Sequence, residues 1–227
     1  MILNSNLWFP NVEDSSEEGI VAVGGDLSVE RLILAYSRGI FPWFSDDSPI
    51  LWWSPDPRFV LFPSKLKVSK SMRPLFNQNK FQVTFDQNFE EVIRNCQKIN
   101  RDDQPGTWIT SDMFAAYVKL HERGFAHSVE VWQDKKLAGG LYGVSLGKVF
   151  FGESMFTKVS NASKYGFITL VNQLKKKGFL LIDCQQETRH LESLGASAIH
   201  RKDFIDILNK NEIEDTYLGS WEVYLKD

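Results

Sequence analysis

A proline- and tryptophan-rich segment at residues 38–63 constrains the fold of this chain more than any other part of the sequence. It reads RGIFPWFSDDSPILWWSPDPRFVLFP, with Trp43, Trp52 and Trp53 interleaved among prolines at 42, 49, 55 and 57. Each proline fixes its φ at about −65° and lacks an N–H donor, so the segment predicts neither a regular helix nor a central strand. Such rigid rings can stack a flat ligand or fill the seam between two subdomains, and this segment alone leaves both readings open.

Charge is distributed unevenly along a chain whose net charge is −3. Residues 1–57 hold two arginines and no lysine against nine acids, a net charge of −7. Residues 58–85 hold six cations and no acid. The change of sign predicts a small N-terminal subdomain at 1–57 and a larger domain at 58–227. The basic stretch is either a phosphate-contacting surface or a solvated face.

Composition narrows the class of protein. No apolar run approaches the roughly 20 residues that a membrane span needs, and no signal-peptide pattern is present. Two cysteines, Cys96 and Cys184, are too few for a disulfide framework, which fits a reducing compartment. The four histidines are scattered, so no metal site is expected. We expect a cytoplasmic, monomeric protein.

Helix and strand signals alternate after residue 58 and predict an α+β fold. The predicted strands are 59–62, 81–85, 128–132, 137–144, 148–152 and 179–185, and the predicted helices are 28–38, 88–99, 111–123 and 162–177. Ser28 is the expected N-cap of the first helix, and Asn88 with Glu91 resembles a capping box. This order predicts a central mixed sheet flanked by helices.

The end of the strand LLIDCQ carries the best candidates for chemistry. Alternate residues of a strand share a face, so Asp183 and Gln185 point one way and Cys184 the other. A carboxylate there must be hydrogen-bonded or reach water. The Gln185 amide is expected to donate to Asp183 and to present its oxygen as an acceptor; alternatively, Asp183 caps a turn and Gln185 has no role.

Cys184 has two interpretations. It is either a thiolate nucleophile or an inert core thiol among Leu180 and Ile182. The alternation of the strand favours the inert thiol.

Nine stretches of the sequence resemble the leucyl/phenylalanyl-tRNA–protein transferase family, in family order over roughly residues 20–200. They are GGDLS (24–28), GIFPWFSDDSPILWWSPDPR (39–58), GTWIT (106–110), HSVEVW (127–132), GGLYGVSLG (139–147), FFGESMF (150–156), NASK (161–164), LIDCQ (181–185) and HLESLGA (190–196).

The resemblance implies an enzyme that moves Leu or Phe, with Met as a further candidate, from tRNA to the α-amino group of proteins beginning with Arg or Lys. Such tagging marks proteins for degradation under the N-end rule. It also implies a GNAT-type acyltransferase fold and aminolysis of the ester without a covalent enzyme intermediate. No cofactor is expected, since aminoacyl-tRNA is a substrate. The Arg/Gln-x-x-Gly-x-Gly/Ala loop that holds CoA in related folds is missing from the sequence.

Individual residues acquire roles through the same resemblance. Asp183 and Gln185 would be catalytic, Glu153 would bind the acceptor, and Trp43 and Trp108 would embrace the terminal adenosine. The pocket for the transferred side chain would be lined by Leu141, Phe150, Met155, Leu170 and Ile182. The tRNA phosphates would be met by Lys65, Lys67, Lys70 and Arg73.

Three competing functions remain open on the sequence. Transferases that extend a cell-wall precursor usually repeat the sheet domain, for which 227 residues leave no room. A CoA-dependent acyltransferase would need the missing glycine loop. A non-catalytic module could bind N-terminal Arg or Lys, or tRNA ends, with the same residues.

Overall fold

The computed structural model describes residues 1–99, 109–212 and 214–225, and in these ranges the chain forms two sheets. The smaller sheet lies within the first 57 residues and has the order β1–β2–β4–β3. Its strands are β1 (Ile2–Leu3), β2 (Ile20–Gly24), β3 (Phe41–Pro42) and β4 (Leu51–Trp53). Only the β1–β2 pair among these is parallel.

The larger sheet begins at Arg58 and has seven strands in the described ranges, in the order β11–β5–β10–β9–β8–β7–β6. Its strands are β5 (Arg58–Leu61), β6 (Gln82–Phe85), β7 (Ala126–Gln133), β8 (Lys136–Leu146), β9 (Val149–Thr157), β10 (Leu181–Gln185) and β11 (Ser197–Ile199). All neighbouring strands are antiparallel except β9 and β10. The sheet is therefore mixed, as predicted.

Helices flank this sheet. They are α1 (Val29–Ser37), α2 (Arg73–Asn77), α3 (Phe89–Gln97), α4 (Ser111–Glu122), α5 (Ala162–Lys176), α6 (Arg189–Ser193), α7 (Arg201–Asn211) and α8 (Trp221–Tyr224). The predicted α+β fold, with a mixed sheet flanked by helices and a small N-terminal subdomain, is confirmed. The Ser28 side chain caps α1 by accepting from the Arg31 N–H, also as predicted.

Two sequence expectations about local structure are wrong. β4 pairs on both sides, with β2 and β3, so a central strand does form inside the proline-rich segment. It fits because residues 50–54 contain no proline. Asn88 makes no side-chain cap bond to α3; instead the Glu130 carboxylate accepts from the Gln87 and Asn88 N–H groups.

Two hydrophobic clusters cover the two faces of the larger sheet. One joins the N-terminal sheet, α1, α3, α4 and α7 to residues such as Tyr142 and Phe151. The other joins α5 and α8 to Leu141, Phe150 and Ile182. Residues 1–57 thus share a core with the larger sheet, and Trp52 is fully buried in it.

β9 and β10 stop pairing where the candidate site begins. Their parallel pairing begins with Leu181 opposite Val149 and ends with Asp183 opposite Phe151. Beyond it, each strand carries a β-bulge. The bulge in β9 lies between Gly152 and Ser154, and the bulge in β10 lies between Asp183 and Gln185. A bulge adds one residue and re-aims the side chains beside it. The two bulges re-aim Glu153 and Gln185 at the point where the strands part.

Candidate active site

A cavity of about 540 Å³ opens at the point where β9 and β10 part. Its lining comes from both hydrophobic clusters: Phe41 and Tyr142 belong to one, and Leu141, Phe150 and Ile182 to the other. Glu153, Asp183 and Gln185 lie on the same wall. A largely apolar cavity with a few convergent polar groups is the usual form of a site for an organic substrate.

Glu153 is buried at the centre of a hydrogen-bond network and is only 8% exposed. The Tyr36 hydroxyl donates to Oε1 at 2.7 Å and the Tyr117 hydroxyl donates to Oε2 at 2.9 Å. The two hydroxyls also touch each other. Burial raises the pKa of Glu153 to about 7, and the nearby Asp183 charge adds to this, while the three hydrogen bonds to the carboxylate oppose it.

Gln185 is oriented by Glu153, which corrects the sequence expectation. Its Nε2 donates to Glu153 Oε1 at 2.9 Å, and only its backbone N–H donates to Asp183 Oδ1, also at 2.9 Å. The side chain turns away from Asp183 because the bulge leaves Gln185 with φ at +62°. With Nε2 engaged, the amide oxygen of Gln185 is the group left to accept a hydrogen bond.

Asp183 forms a buried ion pair that sequence reasoning missed. Arg58 Nε and Nη2 donate to its two carboxylate oxygens at 2.8 and 2.6 Å, and both side chains have 0% exposure. The guanidinium lies 4.7 Å from the ring centroids of Phe41 and Phe204. Arg58 belongs to the basic stretch 58–85, but its burial removes it from any phosphate-contacting surface. Its place at the head of the apolar run RFVLF is the signal that could have revealed this.

Four of the five predicted pocket residues line the cavity: Leu141, Phe150, Met155 and Ile182. The fifth, Leu170, is fully buried in the core and is not among the lining residues. Phe167, which the prediction omitted, lies one turn earlier on α5 and does line the cavity.

Trp43 lies on the cavity wall with its ring edge-on to Trp53, the centroids 5.4 Å apart. The Trp53 indole N–H donates to the Trp43 carbonyl at 2.7 Å, which fixes the loop. Trp108, the second predicted adenosine ligand, lies outside the described residues. The seam-filling role is therefore confirmed for Trp52, which is core, while Trp43 faces the cavity and its stacking on a ligand stays a prediction.

Cys184 packs against the cluster on the α5 face, opposite Asp183, as the alternation predicts. Leu180, its expected neighbour in the core, is instead 40% exposed. Burial, followed by the Asp183 charge, raises the pKa of the Cys184 thiol far above its ordinary value. A thiolate is therefore scarce at neutral pH.

For the transfer activity that the sequence resemblance implies, we expect a Cys184→Ala variant to keep its rate within about threefold, since a protonated thiol is a poor nucleophile. Intact-mass analysis after mixing with charged tRNA should show no acyl adduct on the protein. Cys96→Ala, which changes the other buried thiol, is the control. A folded but inactive Cys184→Ala variant would restore the nucleophile reading.

The four predicted phosphate ligands are exposed. Lys65 ends the 3-10 turn Pro63–Lys65, Lys67 and Lys70 follow it, and Arg73 begins α2. Within the described ranges, no group of three or more His, Cys, Asp or Glu side chains is placed to hold a metal ion. Every helix of the described ranges is too short or too polar to span a membrane.

The fold and the cavity define an α+β protein with a partly open, largely apolar cavity that a few polar side chains line, and comparison with known proteins gives the family. A model described as leucyl/phenylalanyl-tRNA protein transferase matches residues 60–209, and the model of its N-terminal domain matches residues 25–56. The chain belongs to the leucyl/phenylalanyl-tRNA protein transferase family and is an enzyme of that family.

Curated relatives match over nearly their whole length. A leucyl/phenylalanyl-tRNA–protein transferase of Flavobacterium johnsoniae is 58% identical over 91% of this chain and 97% of its own. One from Pseudomonas fluorescens is 56% identical over 91% and 92%. Among solved structures, L-PGS from Bacillus licheniformis is 11% identical and covers 71% of this chain and 50% of its own, with a TM-score of 0.40.

Proposed function

We propose that this chain transfers Leu or Phe, and Met by the same loose selection, from tRNA to the α-amino group of proteins that begin with Arg or Lys. The observation that carries the proposal is an apolar cavity that ends at the hydrogen-bonded pair Glu153 and Gln185. The cavity would hold the transferred side chain, Gln185 would hold the attacking amine, and Glu153 would attract the positive charge of the acceptor. Apolar pockets separate similar hydrophobes by only about 1–3 kcal/mol per methylene, which fits a broad donor range.

The proposed reaction is direct aminolysis of the ester. The neutral amine of the acceptor attacks the ester carbonyl, the new C–N bond forms, and the C–O bond to the tRNA ribose breaks. The proton lost by the amine ends on the departing ribose oxygen. An α-amino group has a pKa of about 7.7–8.0, so a hydrogen bond to the Gln185 amide oxygen suffices to orient its lone pair.

The acceptor's positive charge is assigned to Glu153. Arg58 neutralises Asp183 through two hydrogen bonds, whereas the partners of Glu153 are two hydroxyls and an amide, all uncharged. Glu153, which its pKa of about 7 leaves partly ionised at neutral pH, is therefore the acid on this wall with charge left to attract a cation. Asp183 would act by holding the Gln185 backbone in place.

The donor would be held in three places. Trp43 would stack on the terminal adenosine, the cavity would take the side chain, and Lys65, Lys67, Lys70 and Arg73 would contact phosphates. We propose that a monomer is active. Charged tRNA as substrate makes the cytoplasm the proposed compartment.

The test of the function is transfer of radiolabelled phenylalanine from charged tRNA to a peptide that begins with Arg. A Gly-initiated peptide of otherwise identical sequence is the control. Label in the Arg peptide alone is the expected result. No label in either peptide, from folded protein that still binds charged tRNA, would favour the binding-module reading.

We expect Trp43→Ala to weaken donor binding roughly 10- to 100-fold, because stacking on one base contributes about 1–3 kcal/mol. The measurement is the dissociation constant of phenylalanyl-tRNA in low salt. Trp132→Ala is a matched control, since Trp132 is also half-buried but does not line the cavity. Equal weakening in both variants would show a general loss of structure instead.

Glu153→Gln should change both acceptor binding and the pH dependence of stability. Burial raises the Glu153 pKa to about 7, so the folded state binds its proton more tightly than the unfolded state does. The stability that this proton gives is full below about pH 4.5 and is lost as the pH rises to about 7. Relative to the wild type, the free energy of unfolding of the variant should therefore increase by up to about 3 kcal/mol as the pH is raised from 4.5 to 8.

Urea unfolding of both proteins across that pH range measures the stability effect, and the exposed Glu192→Gln is the control. The KM for the Arg peptide should rise about tenfold in Glu153→Gln with little change in the donor KM. An unchanged acceptor KM would remove the binding role from Glu153.

A further inference from the structure

A second groove, of about 370 Å³, lies between α2, β6 and α5 and has no part in the proposed reaction. Phe76, Phe81 and Tyr165 supply its aromatic side chains. The rings of Phe76 and Tyr165 stack at 4.0 Å with an angle of 16°, and Phe81 meets Tyr165 edge-on at 5.3 Å. Phe76 is only half-buried, so this stack can be continued by one more flat ring.

Amide groups form the polar part of the groove. Asn172 is exposed on its rim, and Gln173 has a buried Oε1 with no hydrogen-bond partner in the described part of the chain. Amide side chains pair with the donor and acceptor edges of unpaired bases. Aromatic faces beside amides therefore suit a nucleobase better than an aliphatic ligand.

Two segments without a single acid meet at this groove. Residues 58–85 supply Phe76 and Phe81, and residues 154–182 supply the α5 side of the groove. Residues 58–85 hold six cations, and residues 154–182 hold five. Arg58 is buried, which leaves ten cations near the surface of a protein whose net charge is −3. Lys176 lines the groove, and Lys80 lies 5.6 Å from the Phe81 ring centroid. This concentration of charge complements a phosphate backbone.

Helix α5 connects the groove to the active-site cavity. Ser163, at its start, lines the cavity, and Gln173 lines the groove ten residues later. At 1.5 Å per residue these positions are about 15 Å apart along the axis. That distance is within reach of the single-stranded 3′ end of a tRNA.

We propose that the groove binds an unpaired nucleotide of the donor tRNA, upstream of the terminal adenosine, with its base continuing the Phe76–Tyr165 stack and its phosphates facing Lys80 and Lys176. The inference rests on the proposed function, since it assumes that charged tRNA occupies the cavity. It adds a second contact for the nucleic acid, remote from the reacting ester.

The experiment compares two donors, phenylalanyl-tRNA and phenylalanyl-adenosine, because the short donor cannot reach the groove. With the tRNA donor, Phe76→Ala should lower kcat/KM about tenfold and Asn172→Ala about threefold. With phenylalanyl-adenosine, each variant should lower kcat/KM less than twofold. Phe76→Leu keeps an apolar side chain without an aromatic face and should behave like Phe76→Ala. Phe114→Ala is the matched control, a half-buried phenylalanine on α4 with Arg94 4.6 Å from its ring centroid.

Equal losses with both donors would mean that Phe76 only supports the fold, and no loss with either would leave the groove unused. Each of these results overturns the proposal. Failure of the wild-type protein to use either donor would instead contradict the proposed function, so the two ideas fail separately. Lys80→Glu should also reduce the dependence of tRNA binding on salt.

Discussion

A Gln185→Ala variant is expected to lose about 100-fold in kcat while its KM for charged tRNA changes less than threefold. Gln185 would accept a hydrogen bond from the attacking amine and aim its lone pair at the ester carbonyl, and positioned groups of this kind contribute 100-fold or more. Its Nε2 donates to Glu153 Oε1 at 2.9 Å. The measurement is single-turnover transfer to an Arg peptide at saturating donor.

Two further variants make the Gln185 test specific. Gln82→Ala removes an exposed glutamine at the far edge of the larger sheet and should have no effect. Gln185→Glu keeps the shape but places a second carboxylate against Glu153, so one of the two must hold a proton. We expect its transfer rate to fall as the pH rises. A Gln185→Ala variant with normal kcat and a raised acceptor KM would mean that Gln185 only binds the acceptor.

Arg58→Met should destabilise the protein by about 3–5 kcal/mol, the largest stability effect we expect from one substitution. Removing the guanidinium leaves the Asp183 carboxylate fully buried without a counter-charge. Asp183→Leu leaves Arg58 in the same position and should cost a similar amount. Urea unfolding at pH 7 measures both.

The double variant decides whether the ion pair is the cause. Arg58→Met with Asp183→Leu removes both charges and should be more stable than the sum of the single losses predicts, by about 2 kcal/mol or more. Additive losses would assign the cost to packing against Phe41 and Phe204 instead. Arg94→Met breaks the exposed pair with Glu90 and should cost under about 1 kcal/mol.

The candidate site could be predicted only in part. The residues Asp183, Gln185 and Glu153 do line one cavity, and Cys184 does face away from Asp183. Their hydrogen-bond partners were not predicted, because strand periodicity gives a face but not a partner on another element. Tyr36 and Tyr117, which donate to Glu153, come from two helices 81 residues apart in the chain.

The sequence by itself determined the type and order of the strands β5 to β10 and of the helices α1, α3, α4 and α5, because periodicity and capping are local properties. Its motifs also identified the family. Only the tertiary structure decided that β4 is a central strand, that Arg58 is buried, and that Gln185 turns to Glu153. These features depend on two β-bulges and on packing between residues far apart in the chain, which a local pattern of side chains does not encode.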